Sequence, residues 1–379
     1  MISRDRMLEE FLNLIKIDSI SKKEGKIGKY LIDKLKKLGL AVKTDDAHKK
    51  VGGEIGNIIG YLKGTDPGKP TIIFNAHMDT VTPGEGIKAV VEDDIVRSVS
   101  DTILASDDKS GITAILEVLR CLKENNFSYG NIEVVFTICE EIGLKGAKSF
   151  DPGLVKGKFG FSLDSTNPDK IVVKAPAANT ITFKVEGRSA HAGMAPEQGI
   201  NAIYVASKAI SKMRLGRIDD ETTANLGIIN GGIARNIVPN FVEIKGEARS
   251  HNLEKLETQT KHMEECFKST IGNFKVKVDN KEYRASYKVD VQREYNPIKL
   301  SDDSLPVKLA MESGKALGRK METIAIGGGS DANIFGEKGI QMVVLGTGMN
   351  KPHTKEEYLV ISDMVKAAEL LLKIVELNK

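Results

Sequence analysis

Residues 71–75 (TIIFN) and 131–139 (NIEVVFTIC) are apolar at nearly every position instead of at alternate ones. A strand of that kind has no face to give to water, so it belongs inside a mostly parallel sheet with helices across both faces. The intervening residues supply those helices. Residues 25–37 place Ile27, Leu31 and Leu35 at helical spacing, with Leu38 just beyond and Gly39 as a stop signal. Residues 111–123 place Ile112, Ile115, Leu116, Leu119 and Leu122 on one face, and a short strand follows at 159–163. The chain therefore reads as α/β, opened by two amphipathic helices.

After about residue 175 the texture changes. Residues 180–185 (TITFKV) and 241–248 (FVEIKGEA) alternate apolar and polar side chains, as half-exposed antiparallel strands do. Helical patterns at 201–213 and 253–269 lie between such strands, which predicts a small α+β unit. From about residue 296 the first texture returns, with helices at 304–317 and 363–377 and strands at 323–326 and 341–345. The expectation is one domain built from residues 1–176 and 292–379, interrupted by a second at 177–291.

Lys and Arg number 55 against 52 Asp and Glu, a net charge of +3, which favours neither a nucleic-acid groove nor a membrane anchor. No apolar run nears the roughly 20 residues that span a bilayer, and the start MISRDRMLEEF has no apolar signal core. Cys121, Cys139 and Cys266 form no CxxC pair, which fits a reducing, cytoplasmic setting. Cys139 beside Glu140 invites reading as a nucleophile or ligand, but a cysteine ending an apolar run usually packs.

Carboxylates and histidines fall where strands end. His77 and Asp79 follow TIIFN, Asp107 and Asp108 precede the 111–123 helix, Glu140 and Glu141 follow NIEVVFTIC, Asp164 closes FSLD, and His353 lies past IQMVVLG. In a parallel sheet the carboxyl ends of strands share one crevice, so these distant segments can converge. Taken singly, an acidic residue at a strand end is usually a solvated loop residue or a helix cap. The conjunction of five strand exits is what argues for a site.

Imidazoles mixed with carboxylates, without thiolates, suit zinc, with cobalt or manganese as alternatives, and a carboxylate can bridge two such ions about 3.5–4 Å apart. Asp79, on the same side of an extended His-x-Asp as His77, can orient that ring. Consecutive glutamates on an extended backbone point opposite ways, so Glu140 and Glu141 should divide binding from proton transfer.

Read in order, HMDT, ASDDKSG, CEEIG, SLDST and KPHT closely resemble the co-catalytic zinc exopeptidase family that includes peptidase T, carboxypeptidase G and succinyl-diaminopimelate desuccinylase, over nearly the whole chain. The resemblance implies a zinc-binding α/β domain interrupted by a lid domain that often dimerises. It implies that Asp107 bridges two ions, that His77 and Asp164 complete one and Glu141 and His353 the other, and that Glu140 is the general base acting on a water activated between two zinc ions. By the same resemblance His191 in GRSAHAG stabilises the tetrahedral intermediate, from its own or a partner subunit. Asn236 in ARNIVPN and Arg249 in GEARSHN would contact substrate, Arg249 gripping a carboxylate, for which the plain alternative is a surface ion pair. Gly328, Gly329 and Ser330 in GGGSDAN would line the pocket.

CEEIGLKGAKSF and ASDDKSGITAILEVL look most like the peptidase T branch, implying an aminotripeptidase-like exopeptidase of short peptides and a homodimer. The GGGSDAN loop departs from the peptidase T form, which has threonine and a second glycine around the aspartate. An N-acyl-amino-acid deacylase or carboxypeptidase at the same site therefore stays open. More distant readings are a non-catalytic peptide-binding protein and a metal-dependent phosphohydrolase.

Overall fold

The computed structural model describes residues 1–379, which divide into two compact units. The first comprises Met1–Lys174, Lys299–Ile326 and Ser330–Lys379; the second comprises Ala175–Ile298 and Gly327–Gly329. No helix is long and apolar enough to cross a membrane.

The first unit is organised on a nine-stranded sheet in the order Ala41–Thr44, Ile58–Leu62, Ile132–Thr137, Ile72–His77, Phe159–Ser165, Gln341–Gly346 and Lys170–Ala175, with Ile298–Lys299 and Glu322–Ala325 beside the last. Its centre is parallel and its flanks are mixed. Ile72–His77 runs parallel to both Ile132–Thr137 and Phe159–Ser165, and Phe159–Ser165 runs parallel to Gln341–Gly346. Ile58–Leu62 and Ala41–Thr44 are antiparallel additions. The two apolar runs of the sequence are the central strands, buried at every residue. Four parallel neighbours thus send their carboxyl ends to one edge, which is the condition for the dispersed acids and histidines to meet.

The Ser106–Glu124 helix packs on the Ile72–His77 and Phe159–Ser165 strands, and the Arg4–Ile15 and Ile361–Leu377 helices pack on it in turn. The helix begins later than its hydrogen bonds suggest, since Asp107 (φ −82°, ψ 105°) and Asp108 (φ −119°, ψ 33°) are non-helical. Gly111 lets it start so close to the sheet: a Cβ there would lie 2.4 Å from both the Leu163 carbonyl oxygen and Asp108 Oδ1. That close approach brings the Asp107–Asp108 pair to the exit of the strand carrying Asp164. A separate four-stranded sheet, Met349–Asn350, Tyr358–Val360, Ile95–Ser98 and Ala89–Glu92, frames the loop that carries His353.

The second unit is an antiparallel sheet ordered Gly216–Asp219, Thr222–Gly231, Phe241–Ser250, Ala177–Glu186 and Ser286–Tyr295. The helices Ala202–Ile210 and Leu253–Ile271 pack on it, and Phe183 of the sheet stacks on Phe267 at 4.2 Å between ring centroids. Alternation in the sequence finds these strands because only one face meets the helices.

Candidate metal centre

His77 is the last residue of its strand, and its ring is 2% exposed. Nε2 lies 2.9 Å from Asp107 Oδ1 and 4.0 Å from Asp164 Oδ1. The other oxygen of Asp107, Oδ2, lies 3.2 Å from His353 Nε2, and that nitrogen is also 2.9 Å from Glu141 Oε2. Asp107 therefore stands between two imidazoles and presents one oxygen to each. Ligand atoms on one tetrahedral zinc, with bonds of about 2.0–2.2 Å, sit roughly 3.3–3.6 Å apart, so the observed spacings bracket those of a shared ion. Two triads could hold a cation, His77–Asp107–Glu141 and His77–Asp108–Asp164, each with its ligand atoms within 4.8 Å of one another.

Asp108 competes with Asp107 in that geometry, and its hydrogen bonds distinguish the two. Its Oδ2 accepts the His77 amide at 3.3 Å and its Oδ1 accepts the Gly111 amide at 3.2 Å, so both oxygens serve the backbone and cap the helix. Asp108 Oδ1 thus caps the first regular turn of the helix. Asp107 keeps both oxygens for the centre.

The expected role of Asp79 shifts. Its backbone carbonyl, not its carboxylate, takes His77 Nδ1 at 2.9 Å, while its Oδ1 is 3.7 Å away. The carboxylate instead accepts the Glu140 amide at 2.9 Å, the Glu141 amide at 3.2 Å and the Ser21 hydroxyl at 2.6 Å. The strand ends at His77, so the side-chain alternation assumed for His-x-Asp stops there. Glu24, buried and overlooked in the sequence, accepts the Cys139 amide at 3.0 Å and its thiol at 3.3 Å. With Cys139 at φ +52°, three consecutive amides point at two buried carboxylates, and this fixes the glutamate pair. Burial raises the Cys139 thiol, so it remains a protonated packing group.

The electrostatics call for cations. Burial pushes Glu140 and Asp164 well above the usual carboxylate range and Glu141 up as well, with the other acids of the centre adding to each. Burial likewise pushes Asp331, which accepts the Thr137 hydroxyl, to about 6. Burial would also raise Asp107, but hydrogen bonds from His353 and His77 outweigh it and hold that carboxyl low. His353 is raised to about 10 by Asp107 and Glu141. Burial lowers His77, yet its hydrogen bonds, that of Asp107 foremost, leave it raised. Glu141 Oε1 is buried with no hydrogen-bond partner. An orphaned carboxylate oxygen within a crowd of acids and two facing imidazoles is the donor set of a divalent-metal site.

A consequence can be measured. A group whose folded pKa exceeds its unfolded value stabilises the fold fully below the unfolded pKa, and that contribution is lost as pH rises through the folded one. For the raised carboxylates the loss begins near the unfolded value of about 4, and for His353 near about 6.5, ending near 6 for Asp331 and 10 for His353. Chelator-treated protein should therefore melt at progressively lower temperature from about pH 5 to 9, and saturating divalent ion should flatten the slope. Calorimetry showing a flat or rising profile without metal would count against this electrostatic account.

In the second unit, His191 and Asn236 come together. His191 bridges Ile237 in antiparallel fashion, and the Ala192 amide donates to the Asn236 carbonyl at 2.9 Å. His191 Nδ1 accepts the amides of Gly193 at 3.2 Å and Met194 at 3.1 Å, which leaves the ring proton on Nε2. Arg249 forms a two-pronged ion pair with Glu247, at 3.0 and 2.9 Å, and its Nη1 reaches the Gly327 carbonyl at 3.4 Å. A Cβ on Gly328 would meet nothing within 4 Å, whereas one on Gly329 would lie 2.3 Å from the Tyr295 ring. In the first unit, the Ser330 amide is already donated to Asn333 Oδ1 at 3.0 Å.

The chain matches the sequence profile of Peptidase family M20/M25/M40 over residues 73–377. It is 42% identical over 377 residues to the uncharacterized protein YqjE of Bacillus subtilis (strain 168), covering 99% of each chain. Among solved structures it superposes on aminopeptidase PepT from Bacillus cereus ATCC 10987 with a TM-score of 0.87 at 40% identity, covering 99% of this chain and 98% of that one. A tripeptidase from Staphylococcus aureus subsp. aureus Mu50 gives a TM-score of 0.92 at 39% identity, with 99% and 98% covered. These likenesses span the α/β catalytic unit and the inserted unit alike, and the chain is a peptidase of the M20/M25/M40 family, on its peptidase T-like branch.

Proposed function

We propose that the chain is an aminotripeptidase-like exopeptidase of short peptides that works with two divalent ions, zinc first and cobalt or manganese as substitutes. The observation that carries this is Asp107, with Oδ1 toward His77 and Oδ2 toward His353. In this reading Asp107 would be shared between the two ions, with His77 and Asp164 to hold one and Glu141 and His353 to hold the other. When bound, the ions supply Lewis-acid polarisation of the scissile carbonyl and an acidified water as nucleophile.

The protein groups do the rest. Glu140, set by the Asp79 and Glu24 carboxylates through the 139–141 amides, takes a proton from the attacking water and returns it to the departing amine. His191, with its proton on Nε2, donates to the carbonyl oxygen as charge develops there. Asn236 sits beside it for the same oxygen. Arg249 recognises a substrate carboxylate by exchanging it for Glu247, while Gly328 lets a peptide backbone approach closely and Gly329 makes room for the Tyr295 ring beside it.

The inserted unit acts as a lid and as the contact of a homodimer. Gly216–Asp219 pairs only with Thr222–Ala224, so the rest of the Thr222–Gly231 strand has an open edge, on which Ile228 (53%) and Ile229 (57%) are exposed. An apolar open edge is a site for strand pairing, and a second copy offers the matching strand. Three buried free cysteines favour a reducing, cytoplasmic setting.

One experiment separates the readings. Metal-reconstituted protein is assayed on di- and tripeptides with free, N-acetylated or C-amidated ends, and its sedimentation mass is measured. Hydrolysis of free tripeptides with loss on N-acetylation supports the aminotripeptidase; preference for N-acyl substrates with a free carboxylate makes it a deacylase or carboxypeptidase. A mass near 41.3 kDa removes the dimer.

A further inference from the structure

Glu357 is 1% exposed, lies four residues beyond His353, and has no part in the reaction above. Its carboxylate accepts four hydrogen bonds from one short stretch. Oε2 takes the amides of Leu104 at 2.8 Å and Ala105 at 2.9 Å, and Oε1 takes the Ser106 hydroxyl at 2.5 Å and the Asp107 amide at 3.1 Å. Leu104 and Ala105 (φ +63°) precede the Ser106–Glu124 helix and Asp107 is extended at its start, where amides have no intrahelical acceptor, so without Glu357 these buried donors would be orphaned.

Both ends of this contact lead to the centre. Asp107 closes the gripped stretch, and His353 rides on the loop that delivers Glu357. That loop is a tight turn, with the Thr354 hydroxyl donating to the Lys351 carbonyl at 2.8 Å, the Glu357 amide donating to the Thr354 carbonyl at 3.1 Å, and Lys351 and His353 at φ +50° and +63°. The His353 side chain is half exposed and reaches inward through Nε2, so its place depends on where the loop is anchored.

We propose that Glu357 is a positioning residue that locks the His353 loop to the Asp107 loop, presenting the two ligands as one preassembled arm of the metal centre. Its effect falls on ion affinity before it falls on turnover, and most on the ion held jointly by Asp107 and His353. The inference rests on the two-ion reading of the site.

A matched control separates positioning from stability. Glu133 is also buried, at 3% exposure, and its carboxylate accepts the amides of Lys156 and Gly157 at 2.9 Å, at the amino end of a strand whose carboxyl end faces the centre. Full-length wild type, Glu357→Gln, Glu133→Gln and Ser106→Ala are stripped with chelator and titrated with zinc against a chromophoric chelator, and the metal-free proteins are melted. The number of ions taken up by the wild type judges the two-ion reading; the ratio of variant to wild-type dissociation constants judges Glu357. Glu357→Gln should weaken at least one ion about 10–100-fold and Ser106→Ala several-fold, with Glu133→Gln within about two-fold although both glutamine variants melt lower. Affinity in Glu357→Gln equal to wild type, or weakened no more than in Glu133→Gln, overturns the proposal. Should Glu357→Gln not fold, unchanged zinc affinity in Ser106→Ala overturns it.

Discussion

Glu140→Gln should lower kcat by about 10²–10⁴-fold, the range that removing a general base commands, while KM and the bound metal stay near wild type. The reasoning starts from the backbone. Asp79 accepts the amides of both Glu140 and Glu141, so the pair is oriented through main-chain bonds that the substitution leaves intact. Glu141 goes to His353, at 2.9 Å, and Glu140, buried at 9% exposure, is left for the proton. Glutamine has the same shape and can accept a hydrogen bond, but it cannot take up a proton at neutral pH. Turnover and metal content measured on one preparation decide the matter. A variant with wild-type kcat removes Glu140 from proton transfer, and one that loses ions together with activity moves it among the ligands.

The parts of the site legible in the sequence are those attached to strong local patterns. His77, Glu140, Glu141 and Asp164 follow or close apolar runs that could only be central strands, and a parallel centre gives their exits one edge. What stayed hidden depends on partners far away in the chain. Glu357 sits in KPHTKEEY, which reads as a charged turn, and its burial comes from donors at residues 104–107. Glu24 in SISKKEG has no periodicity to mark it and matters because it meets the Cys139 amide. The one hint was position, since Glu357 closely follows a candidate ligand as supporting carboxylates do. Asp79 holds the His77 ring through its carbonyl and the 140–141 amides through its carboxylate, a division hidden from the sequence because side-chain alternation holds only while the strand lasts. The Ser286–Tyr295 strand, by contrast, was legible and went unread: Tyr287, Val289 and Val291 alternate with Lys288, Asp290 and Gln292, and the strand pairs with Ala177–Glu186 along nearly its full length.

Asp107→Asn should abolish activity and weaken ion binding by more than the roughly 10–100-fold that follows loss of a supporting residue, because in the proposed arrangement Asp107 would be a ligand to both ions. An amide can offer its oxygen to only one side. If that oxygen faces His77, at the present 2.9 Å, the NH₂ group faces His353, and the bridge and its negative charge are gone. The metal-free variant carries a second signature. Asp107 is the one acid of the centre whose pKa is held low, by hydrogen bonds from His353 and His77 that outweigh its burial, so its stabilising effect is present above about pH 4 and is lost only in strong acid. Replacing it removes that contribution across the neutral range and lets the pKa of His353 fall from about 10. Asp108→Asn is the discriminating partner. Asp108 spends its oxygens on the amides of His77 and Gly111, so that change should lower the melting temperature while the protein still takes up its ions. Were Asp108→Asn to lose metal and Asp107→Asn to keep it, the bridging position would belong to Asp108, and the ligand set proposed for this centre would have to be redrawn around the His77–Asp108–Asp164 triad.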